Sequence, residues 1–66
     1  MKITVNGKAM DVAEGMDLKR FIQTGKVNPE KVILVLNDSV IKSDRWTRTV
    51  LMEGDNVELV SFVGGG

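Results

Sequence analysis

A chain of 66 residues with nine basic and nine acidic side chains, no cysteine and no histidine can build one small domain. Disulfides and thiolate metal sites are excluded, and the usual general base and commonest metal ligand are missing. The charges are balanced and unclustered, which argues against nucleic acid, whose binding rests on phosphate neutralisation. The longest apolar run, Val32 to Leu36, is far too short to span a bilayer.

Other classes fall away for similar reasons. The carboxylates are scattered rather than set in a calcium-loop pattern, so no bound metal or cofactor is expected. No basic segment followed by an apolar stretch opens the chain, so no export signal is read and a soluble, cytoplasmic protein is the expectation. Its side chains are poorly equipped for catalysis, and the chain is read as a non-enzyme.

In chain order, Ile3 and Val5 alternate with Lys2 and Thr4, the period of a half-buried strand. Asn6-Gly7 predicts a hairpin, because a type I′ turn needs positive φ at both central residues. Lys8 to Val12 returns as a second strand. Gly15 breaks the pattern, and Asp17 then caps a helix whose Leu18, Phe21 and Ile22 share one face, with Gly25 as its stop. Pro29 pushes Asn28 out of helical space. The apolar run Val32 to Leu36 predicts a strand buried on both faces. Asn37-Asp38-Ser39 is a turn before a short strand at Val40 and Ile41. Lys42 to Trp46 reads as a turn or a single helical turn, and Thr47 to Met52 as extended or irregular. A turn at Glu53-Gly54-Asp55 precedes the last strand, Asn56 to Val63. Two strands, a helix and further strands make an α+β fold, a mixed sheet of four to five strands with one main helix across one face. Residues 1–63 form this domain and residues 64–66 a flexible glycine tail.

The expected core is Ile3, Val5, Leu18, Phe21, Ile22, Leu34, Leu36, Val57 and Leu59. Trp46 is read as a lid on that core whose ring nitrogen reaches a carbonyl. Lys42, Arg45 and Arg48 are read as a solvated basic segment. On the last strand Glu58, Val60 and Phe62 lie opposite the core face. With only one face covered, they sit on the open side as candidate docking residues.

The three terminal glycines, Gly64 to Gly66, need a reason, since glycine loses most freedom on ordering and packs nothing. A frayed end is the plain reading. The chemical alternative starts from the α-carboxylate of Gly66. Ionised at neutral pH, it is a poor electrophile but can attack the α-phosphate of ATP to form an acyl-adenylate, which sulfur or amine nucleophiles then attack. An enzyme doing this must admit the carboxylate through a narrow passage. Lacking Cβ, three extended glycines suit such a passage and reach about 10 Å.

The segments "ITVNGK", "DLKRFI", "VLNDSVIKSDRW" and "EGDNVELV", together with the terminal glycines, resemble the ubiquitin-like sulfur carriers of the β-grasp fold, the ThiS/MoaD group. The spacing N-x-x-V-I-x-x-x-x-W, from Asn37 to Trp46, is most similar to the ThiS-type carriers of thiamine biosynthesis. The resemblance covers nearly the whole chain. It implies a β-grasp sheet with the first and last strands as parallel neighbours. It also implies that Gly65 and Gly66 are the family diglycine, with Gly64 at the variable position before it. By the same resemblance, a ThiF-type enzyme using ATP and Mg²⁺ adenylates Gly66. A sulfur donor protein then supports conversion to a thiocarboxylate, and a ThiG-type thiazole synthase receives the sulfur. A molybdopterin-type carrier, a protein modifier using the same activation, and an interaction module with an inert tail remain alternatives.

Overall fold

The computed structural model describes residues 1–62 and begins with the expected hairpin. β1 (Lys2–Val5) pairs antiparallel with β2 (Lys8–Asp11). Asn6 and Gly7 between them have φ of 49° and 81°, the left-handed pair that a type I′ turn requires. The pairing runs one residue past β2, because the Met1 ammonium donates to the Val12 carbonyl at 2.7 Å and Val12 N–H donates back to Met1 at 2.9 Å.

α1 (Leu18–Thr24) starts where its cap predicts: the Asp17 side chain accepts from Arg20 N–H at 2.8 Å. Its end falls at Gly25, as expected. Gly25 closes the helix in right-handed space at φ −79°, and Lys26 takes the left-handed position at φ 56°. Lys26 N–H donates to the Gln23 carbonyl and Val27 N–H to the Ile22 carbonyl. This is a Schellman closure, which folds Val27 back against the core.

Asn28 leaves the helix in extended space and caps a 3₁₀ turn, Pro29–Lys31, accepting from Glu30 N–H at 2.9 Å. β3 (Val32–Leu36) and β4 (Ser39–Ile41) form a second hairpin. A 3₁₀ segment, Ser43–Arg48, follows and is longer than the single turn expected, taking in Thr47 and Arg48. Thr49 to Met52 is irregular, with Val50 bridging to Asp17. β5 (Asn56–Ser61) closes the sheet in the order β2-β1-β5-β3-β4. β1 and β5 are parallel neighbours.

Only one face of this sheet carries α1, which corrects the reading of β3. Val32 and Leu34 point into the core, but Ile33 is 42% exposed and Val35 half-buried. A continuous apolar run here does not mean two covered faces. Of the expected core, Ile3, Val5, Leu18, Phe21, Ile22, Leu34 and Val57 are buried, while Leu36 and Leu59 are half-buried at its margin. Val32, Leu51 and Trp46 complete it. Trp46 is 2% exposed and its Nε1–H donates to the Ile41 carbonyl at 2.8 Å, the lid role its amphipathic ring suggests.

Candidate docking face and carboxyl terminus

The face opposite α1 is built by strand alternation. Register puts Ile33 across from Val60, Val35 across from both Glu58 and Val40, and Phe62 two residues beyond Val60 on the same side. Phe62 holds its place because its N–H donates to the Lys31 carbonyl at 3.1 Å. Val40, Val60 and Phe62 are 62%, 51% and 45% exposed, so with Ile33 they form an apolar strip over β4, β3 and β5. The three candidate docking residues Glu58, Val60 and Phe62 are therefore brought together, with Glu58 exposed in line with the apolar pair. Ile33 and Val40 belong to the same strip and sequence reading missed them. Their signal was an apolar residue on each strand in the phase opposite the core. Beside Ile33 and Val40 a recess of about 380 Å³ opens toward Pro29 and Trp46.

β5, which carries Val60 toward the terminus, is anchored at its start by a polar network. Asn37 Nδ2 donates to Asp55 Oδ1 at 3.0 Å, and Asn37 Oδ1 accepts from Asn56 N–H at 2.9 Å. Asp55 Oδ2 accepts from Met52 N–H at 2.8 Å. The β3–β4 turn is thereby tied to the entrance of β5. Midway along β5, Asn6 Oδ1 accepts from Leu59 N–H at 2.8 Å. Asn6 and Asn37 read only as turn formers in sequence, because their partners Leu59, Asp55 and Asn56 lie 18 to 53 residues away.

Gly64, Gly65 and Gly66, like Val63, lie outside the described residues. Among the described residues no group of three metal-binding side chains converges, and no helix is long and apolar enough to cross a membrane.

Residues 3–66 match the model of the ThiS family. The crystal structure of a thiamine biosynthesis protein (ThiS) from Geobacter metallireducens is 36% identical, with a TM-score of 0.88 and full coverage of both chains. The sulfur carrier protein ThiS of Escherichia coli K12 is 23% identical over 66 residues, again the whole of both chains. A thiazole synthase of Magnetococcus marinus is 35% identical over 66 residues. There, as in a second such synthase, the chain spans only 20% of the relative's length.

Proposed function

Since this chain belongs to the ThiS family of thiamine-biosynthesis sulfur carriers, we propose that the carboxylate of Gly66 is its working group and a thiazole synthase its client. The carrier is a protein substrate rather than an enzyme. The carboxylate attacks the α-phosphate of ATP, pyrophosphate leaves, and the acyl-adenylate is held by a ThiF-type enzyme that binds ATP and Mg²⁺. Sulfide delivered by a donor protein displaces AMP, leaving a C-terminal thiocarboxylate that supplies sulfur for the thiazole ring. Everything takes place in the cytoplasm, where ATP is available, with no cofactor resident on the carrier.

The full-length match to the Geobacter protein carries this reading. Two further observations support it. A 66-residue stretch similar to this chain occurs within proteins named thiazole synthase, and covalent linkage raises the effective concentration of a client. The strip of Ile33, Val40, Val60 and Phe62 borders the strand that leads to the glycines. An enzyme seated on it buries apolar surface while the tail enters its site. The recess beside Ile33 and Val40 gives a partner side chain somewhere to insert.

Intact-mass measurement after incubation with ATP, the adenylating enzyme and a sulfur source tests the chemistry. One C-terminal oxygen replaced by sulfur is the expected result. An isopeptide link to lysines, or no change at all, contradicts it.

A further inference from the structure

β5 outruns the strand beside it. Its parallel ladder with β1 stops at Val5 and Val57, because Asn6 and Gly7 turn the chain back into β2. β5 continues to Ser61. The bonds already formed fix which way its peptide groups point. Asn6 N–H donates to the Val57 carbonyl at 2.9 Å and Leu59 N–H to Asn6 Oδ1 at 2.8 Å, so Val57 and Leu59 direct their amides and carbonyls away from β3. By strand alternation Ser61 does the same, while Phe62 N–H turns the other way, to the Lys31 carbonyl.

The Asn6 side chain thus replaces the backbone carbonyl that the turn carries away, and satisfies one more donor than β1 itself can reach. Past it, among the described residues, no hydrogen bond from the hairpin side meets the Leu59 carbonyl or the Ser61 amide. β5 therefore has a paired edge toward β3 and, over its last residues, an open edge toward the turn. That open edge lies two residues before residue 63, across the strand from the Phe62–Lys31 bond.

The geometry points to this edge as a strand-addition site for the enzyme that activates the terminus: an extended segment of that enzyme pairs with the Leu59 carbonyl and the Ser61 amide. The inference rests on the reading under Proposed function. Main-chain pairing suits the task, since Gly64 to Gly66 offer an enzyme no side chains to recognise. It also holds β5 extended and aimed in one direction as the chain leaves the fold. So short an edge gives too few bonds to recruit a second copy alone, which is how short edges avoid indiscriminate pairing. It acts together with the apolar strip on the sheet face.

Ser61→Pro tests the edge. The ring replaces an N–H that has no partner among the described residues, and Val60 is already in the extended conformation a following proline demands. Expected are a nearly unchanged melting temperature and about tenfold weaker binding to the adenylating enzyme, the loss of one hydrogen bond with its donor. Ser61→Ala should bind as the parent does. Should the proline variant not fold, a synthetic chain with an ester in place of the Val60–Ser61 amide removes the same donor without the ring. Hydrogen exchange at the Ser61 amide should slow when the enzyme binds. A parent chain that is never adenylated overturns the carrier chemistry and this site together. A parent that is adenylated normally, with the ester chain bound equally well and Ser61 exchange unaltered, overturns the edge alone.

Discussion

Trp46 shows how much one side chain can organise in a domain this small. Its ring is buried in the same core cluster as Leu18, Phe21 and Ile22 of α1, and its single polar atom is satisfied by the Ile41 carbonyl. Trp46→Phe keeps most of the apolar area but strands that carbonyl and leaves a small cavity. The expected cost is about 2 kcal/mol in urea denaturation followed by circular dichroism. A loss below about 0.5 kcal/mol would show that the hydrogen bond is replaced by water. Asp17 is a milder case, since its cap sits at the surface: Asp17→Ala should cost about 1 kcal/mol by the same measurement. Both residues were readable in the sequence, one from its amphipathic ring and one from its place before an apolar i, i+3, i+4 pattern. Asn6 was readable only in part. Its turn conformation is local chemistry, whereas its bond to Leu59 spans 53 residues of chain.

Strands are where sequence reading both succeeded and failed. Alternation placed Val57 inward and Val60 outward on β5, and the sheet agrees. In β3 the unbroken apolar run masks the same alternation and suggests two buried faces, whereas Ile33 faces solvent. Composition cannot separate a strand covered on both sides from one whose second side waits for a partner. The proposed docking strip makes that distinction testable. Val60→Asp leaves the core untouched and should change stability by less than about 1 kcal/mol, as surface substitutions usually do. It should weaken binding to the adenylating enzyme or the thiazole synthase at least tenfold, because a carboxylate without a partner is buried in the interface. Calorimetry giving equal affinities for parent and variant would remove the strip from the interface.

For the molecule as a whole, what the fold contributes to the proposed sulfur carriage is separation. The polar network of Asn37, Asp55 and Asn56 anchors one end of β5, and the apolar strip flanks the other. On the proposed reading, stability and chemistry occupy different parts of the chain. Removing Gly66, or adding one bulky residue after it, should leave the melting temperature unchanged, since the buried core runs from Ile3 to Val57, and should abolish adenylation, since on the proposed reading the reacting carboxylate is displaced by a full residue. Pyrophosphate release measured with the truncated chain decides the matter. Release at the parent rate would mean the terminus is not the reacting group.

What the sequence determined by itself was everything settled within a few residues. Both hairpin turns, the Asp17 cap, the inward phase of β1 and β5 and the run of glycines follow from local conformational preference and periodicity. Tertiary structure alone decided that β3 is covered on one side only, and that Asn6 and Asn37 reach across to β5. The reason is physical. Local rules concern atoms a few bonds apart, whereas the coverage of a face and the partner of a polar side chain depend on which distant strands come to lie side by side.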